Sequence, residues 1–280
     1  MNKKVISILI AVFLVMVCLA GCGQREETQE SSAPITQSSQ TEPTPSETED
    51  EEESSSTPSE EPTTDGTAPV VYMTADISSE GLMAIYEALG ASPTGNVAVK
   101  LSTGEPGSNY LRTDLIGELV QSLEATIVEC NTAYGGSRAN TAMHYQVAED
   151  HGYTAIADVD IMDEEGSITL PVAGGDNLTE NYVGSHFENY DYYVVLSHFK
   201  GHAMAGFGGA IKNISIGLAS ADGKAHIHSG GTGGSMWSSE QDAFLESMAE
   251  AGKSVVDALD GNILYINVMN RLSVDCDCDG

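Results

Sequence analysis

The side chains of this chain best suited to hold a metal ion are two histidines, His198 and His202, and two cysteines, Cys276 and Cys278. A separation of four residues puts both imidazoles on one face of a helical turn, a spacing used by many metal sites. Gly201 stands inside that turn and no Glu completes an H-E-x-x-H pattern, so imidazoles that orient a substrate or act as acid and base fit the same pair. In Cys276-Asp277-Cys278 an extended chain would place both thiols on one side. With Asp275, Asp279 and either His226 or His228, the thiols would suit a soft or borderline metal. No Cys-x-x-Cys-x-x-Cys run is present, so an ordinary ferredoxin iron–sulfur cluster is not expected from this chain alone.

A second constellation points to anions. Residues 70–280 hold 29 acids and only eight cations, yet Lys100, Arg138, Lys200 and Lys212 all fall in strand-end or Gly-rich loops. Solubilising charge has no reason to be there, whereas an anionic ligand does; pairing with the abundant carboxylates is the plainer alternative. Gly208 and Gly209, within Ala205–Asn213, could open backbone N–H groups to such a ligand or simply let the backbone pack closely. The Gly-Lys-Ser/Thr of a Walker loop is absent.

The elements that must position these groups can be read from hydrophobic period. Val97–Leu101, Thr126–Cys130, Tyr192–Leu196 and Ile263–Val268 are apolar runs of buried-strand length. Between them Ser79–Leu89, Thr113–Leu123, Asn140–His151 and Glu240–Leu259 repeat apolar residues every three or four positions, as covering helices do. The alternation predicts an α/β domain over 70–280, a mostly parallel sheet covered by helices. Ser167–Val172 alternates and precedes Gly174-Gly175, so it reads as a hairpin or edge strand. Lys100 and Cys130 end strands, His198 and Cys276 each follow one closely, and parallel strands deliver their following loops to one edge. His198, His202, Lys212 and the cysteine pair are therefore expected to converge.

The first 22 residues describe an address. Two lysines, an apolar run from Val5 to Ala20 and then Leu19-Ala20-Gly21-Cys22 have the form of a lipoprotein signal, with lipid carried on Cys22. The run is shorter than the roughly 20 residues of a spanning helix. Residues 23–69 hold 13 acids and one Arg among Ser, Thr, Pro and Gln, the composition of a disordered tether. The expectation is an extracytoplasmic protein anchored to the membrane through its Cys22 lipid. The formal net charge of −31 argues against a nucleic-acid partner.

Leu196-Ser197-His198-Phe199-Lys200-Gly201-His202, followed by Gly206-Phe207-Gly208-Gly209-Ala210-Ile211-Lys212-Asn213, resembles the signature of the family called domain of unknown function 362. Lys100, the Asn131–Arg138 loop and Asn267–Asn270 look like further blocks of that family, so the likeness spans about residues 70–280. Members are often labelled iron–sulfur-centre proteins and some carry a fused ferredoxin module, which this sequence lacks. The resemblance also implies a C-terminal truncation, since related sequences continue past the two cysteines. Three functional expectations follow: a tethered protein binding a metal ion or a small anionic cofactor, an enzyme using His198 and His202 on a carboxylate or phosphate, or a surface binding module without catalysis.

Overall fold

The computed structural model describes residues 70–236 and 240–271. The leader with Cys22, the tether at 23–69, and Cys276 and Cys278 lie outside the described residues. Among those described, no helix is long and apolar enough to cross a membrane.

The chain enters through α1 (Ser79–Leu89) into β1 (Val97–Lys100), then α2 (Thr113–Ser122), β2 (Thr126–Glu129), α3 (Thr141–Asp150) and β3 (Val159–Ile161). A hairpin of β4 (Ser167–Pro171) and β5 (Glu180–Gly184) precedes β6 (Tyr192–His198). Two short strands, β7 (Lys200–His202) and β8 (Gly206–Gly208), pair antiparallel and lead into α4 (Ala210–Ser215), α5 (Ala221–His228), α6 (Gln241–Leu259) and β9 (Ile263–Val268).

The main sheet has the order β3-β2-β1-β6-β9, and all four pairings are parallel. Strands buried on both faces need apolar side chains at every position, which is why they read as continuous runs. On one face Val97, Val99, Ile127, Val194 and Leu196 pack with Leu82 of α1 and with Ile116, Leu119 and Val120 of α2. On the other, Ala98, Val128, Tyr193 and Val195 pack with Ile214 of α4 and with Val255 and Leu259 of α6. The predicted α/β layering is thus observed, and Ser167–Pro171 is the hairpin strand expected there.

Two local expectations are corrected. His198 is the last residue of β6, because β9 keeps pairing past Leu196 through Ser197↔Asn267 and His198↔Val268. Nor do His198 and His202 share a helical face: Lys200–His202 is extended and paired with Gly206–Gly208.

Strand order places the site. The chain steps outward from β1 to β3, then returns to the other side of β1 with β6. Connections therefore leave β1 and β6 in opposite directions, which opens a crevice between their C-terminal ends.

Candidate functional site

Lys100 closes β1 with an ammonium that is completely buried. Its Nζ donates to Leu101 O at 2.8 Å and to Asn213 Oδ1 at 2.8 Å, and lies 3.1 Å from Glu129 Oε2. Three acceptors match the three protons of an ammonium, so Lys100 is a fixed charge in the wall. Burial pulls its pKa down and the neighbouring Glu129 opposes that. Burial alone would push the Glu129 carboxyl up. The charges of Lys100, Lys224 and Arg138, with His144, outweigh that and hold it at about 2.

Arg138 is committed to carboxylates. Its Nε donates to Glu105 Oε1 at 2.8 Å, and Nη1 lies 3.4 Å from Glu129 Oε1 and 3.2 Å from Ser102 Oγ. Behind it, His144 Nδ1 faces Asn131 Oδ1 at 3.4 Å and Nε2 accepts from Thr103 Oγ1 at 2.8 Å. Burial lowers the His144 pKa to about 4, so the ring is neutral.

Above this wall lies a cleft of about 160 Å³ at the crevice between β1 and β6. Lys100, Arg138, Lys200, Lys212 and Lys224 line it, together with Glu105, Glu129 and three histidines, His198, His202 and His228. Five cations against two carboxylates leave an excess of three positive charges, in a chain whose formal charge is −31.

The lysines come from separate elements. Lys200 on β7 is buried and donates to Asn109 O at 2.8 Å. Lys212 stands on α4, and its stem passes close to Gly208, where a Cβ would make ordinary contact with it at 3.4 Å. Gly209, at the start of α4, would press a Cβ to 3.1 Å from the Phe199 ring and 3.2 Å from Asn267 Oδ1. Lys224 is buried on α5, where its Nζ donates to the carbonyls of Ala219 at 2.6 Å and Cys130 at 3.4 Å. Among the described residues no carboxylate lies within ion-pair distance of Lys224.

Each histidine has a defined tautomer. His228, one turn after Lys224, donates Nδ1–H to Lys224 O at 2.7 Å, which leaves the lone pair on Nε2. Burial lowers its pKa, the Lys224 carbonyl opposes this, and the Lys212 and Lys224 charges lower it further. His202 Nδ1 accepts the N–H groups of Met204 at 3.2 Å and Ala205 at 3.0 Å. His198 donates Nε2–H to Asn270 O, and its Nδ1 is buried with no hydrogen-bond partner. Burial lowers the His198 pKa too, and the Lys200 charge acts in the same direction. A neutral imidazole beside several ammonium groups can accept a proton from a bound anion or donate a hydrogen bond to it.

The structure therefore brings Lys100, Arg138, Lys200, Lys212, Gly208, Gly209, His198 and His202 to one cleft. Cys276 and Cys278 cannot be placed with them, as they lie outside the described residues; among those described, no group of three His, Cys, Asp or Glu side chains is arranged to hold a metal ion. Sequence reasoning passed over Glu129, Lys224 and Asn213, and placed His228 only as an accessory to the cysteines. The signal for Lys224 and His228 was their spacing of four on α5; for Glu129 it was a charge inside an apolar strand run. His226, by contrast, packs on Tyr182 with ring centroids 5.0 Å apart.

Cys130 also borders the cleft, but its thiol is 1% exposed, bonds to Leu218 O at 3.4 Å and is pushed up to about 12 by burial. It is not a nucleophile at neutral pH.

Comparison with known proteins gave the following. No curated protein matches the chain. The lactate racemase apoprotein from Thermoanaerobacterium thermosaccharolyticum is similar with a TM-score of 0.42 and 15% identity, over 69% of this chain and 49% of that one. A protein from Thermotoga maritima gives a TM-score of 0.41 and 15% identity, over 68% and 50%. The chain thus spans about half the length of these solved structures. The model of the family described as domain of unknown function (DUF362) matches residues 97–280, and this chain, from Lys100 through the glycine-rich turn to β9, belongs to that family.

Proposed function

We propose that this protein binds a small phosphorylated metabolite in the cleft between β1 and β6, and that it does so outside the cytoplasm, tethered through a lipid on Cys22. The observation that carries the ligand class is the convergence of five of the eight cations of residues 70–280 on one cleft. Arg138, the group best shaped to clamp a planar carboxylate, is turned toward Glu105 and Glu129. Lys200, Lys212 and Lys224 approach from a strand and two different helices. Point charges from several directions suit a tetrahedral phosphate, with His228 as a further partner.

Size limits the ligand. A hydrophobic cavity of about 150 Å³ holds a benzene-sized molecule, so the comparable volume here takes a phosphate and a few further atoms. The loop after β1 reads Leu101-Ser102-Thr103-Gly104-Glu105-Pro106-Gly107 without the G-x-G-x-x-G of dinucleotide folds. A dinucleotide does not fit this reading. The address rests on Leu19-Ala20-Gly21-Cys22 after the short apolar run.

Calorimetric titration of the full-length protein with inorganic phosphate tests the ligand class. Saturable binding that weakens about tenfold or more in Lys224→Gln and Lys212→Gln, and is unchanged in Lys253→Gln, is the expected result. Absence of saturable heat, or equal loss in all three variants, would overturn it. For the address, Cys22→Ala should release the protein from the membrane fraction; identical processing and retention would contradict the lipid anchor.

A further inference from the structure

A second hollow, of about 430 Å³, adjoins the first, since Tyr110 and His198 line both. Arg112 and Arg271 line it as well. The Arg112 guanidinium lies over the Tyr110 ring, 4.2 Å from its centroid, and Arg271 Nη1 donates to Asn109 Oδ1 at 3.3 Å. Neither arginine has a carboxylate within ion-pair distance among the described residues. Both arginines are exposed and turned to one groove, and with no ion-paired carboxylate among the described residues their charge is available to an anionic ligand.

Asn109 ties the two hollows together. Its carbonyl accepts from Lys200 of the cleft and its side-chain oxygen accepts from Arg271 of the groove. The cations on both sides are thus registered against a single residue. Two carboxylates, Glu80 and Asp114, also border the groove; each stands in the first turn of a helix, where the macrodipole favours an acid.

We propose that the groove is the second half of an extended site, and that the physiological ligand carries two anionic groups: one held by the cleft lysines, the other by Arg112 and Arg271 across the Tyr110–His198 divide. This rests on the cleft being a phosphate site. A guanidinium fork is suited to either a carboxylate or a phosphate as the second group. Joining two anions in one molecule makes the second contact intramolecular, so affinity rises without any change in the first.

The test is a competition series on the full-length protein, using inorganic phosphate, methyl phosphate, linear bisphosphonates of increasing chain length, and phosphoethanolamine. One bisphosphonate length should bind about tenfold or more tighter than methyl phosphate. Arg112→Gln and Arg271→Gln should remove that gain and leave methyl phosphate binding unaltered, which also shows the variants to be folded. If methyl phosphate binds but no bisphosphonate gains, the two-headed ligand is wrong and the cleft reading stands. Preference for phosphoethanolamine would also overturn it, by assigning the groove to an ammonium held at Glu80 and Asp114. If no phosphate compound binds at all, the cleft reading fails and takes this one with it.

Discussion

Asn213 Oδ1 accepts a hydrogen bond from Lys100 Nζ at 2.8 Å, while Nδ2 of the same side chain donates to Lys100 O at 3.2 Å and to Ser197 Oγ at 3.0 Å. One amide on α4 therefore fastens the ends of β1 and β6, the two strands between which the crevice opens. Asn213→Leu removes an acceptor from a buried ammonium and should destabilise the fold by about 2–4 kcal/mol, measured by urea unfolding. Unchanged stability would show that Asn213 is not the fastener.

Removing the carboxylate from the wall should be costlier. Glu129→Gln leaves Lys100 and Arg138 facing each other without the negative charge between them. Breaking a buried pair from one side typically loses about 3–5 kcal/mol, so this variant should unfold at markedly lower urea than the wild type. A variant as stable as wild type would mean that Glu105 and water carry the balance.

Acid should act in two successive windows that meet near pH 4. His144 is neutral in the fold with a pKa of about 4, against an ordinary 6.5, so the unfolded chain takes up a proton first and stability falls as pH drops from 6.5 toward 4. Glu129 is held at about 2 against an ordinary 4.5; its contribution is present above 4.5 and is lost as pH falls from there through 2. His144→Gln should flatten the upper limb of a pH–stability curve and shift the lower one only slightly upward, since Lys100, Lys224 and Arg138 still hold Glu129 down. Identical upper limbs in both proteins would remove His144 from the account.

Gly217 is a packing constraint on the site. A Cβ at this position would stand 2.1 Å from Asn213 O and 2.7 Å from Lys100 Nζ. Gly217→Ala should cost about 2 kcal/mol or more and weaken phosphate binding, since the chain must shift where it holds Lys100. By contrast Lys253, exposed and paired with Asp257 one turn along α6, should change stability by less than about 0.5 kcal/mol when replaced by Gln.

Much of the frame was legible because burial on both faces leaves an unmistakable apolar run: Ile263–Val268 and Ser79–Leu89 have the bounds read from the sequence alone. The end of β6 was not, since whether Ser197 and His198 continue the strand depends on the register of β9, a partner some 70 residues away. Lys100, Arg138, Lys200 and Lys212 stood out because cations are scarce in residues 70–280. Lys224 escaped notice for a physical reason. Its helix, Ala221–His228, is short and weakly patterned, and only the folded chain shows that its ammonium turns inward to the carbonyls of Cys130 and Ala219. The metal expectation rested on His198 and His202, which line the cleft, and on Cys276 and Cys278, which lie outside the described residues.

The sealed thiol of Cys130 turns the cleft floor into a reporter. With Cys18, Cys22, Cys276 and Cys278 replaced by Ser, Cys130 would be the sole sulfhydryl in the chain, and a buried thiol with a pKa of about 12 does not meet alkylating reagents while the sheet is closed. Alkylation would then proceed only as often as β2 and α5 part. The rate would time that opening, and a molecule bound between Lys224 and Lys212 would slow the clock by as much as it holds the two layers shut.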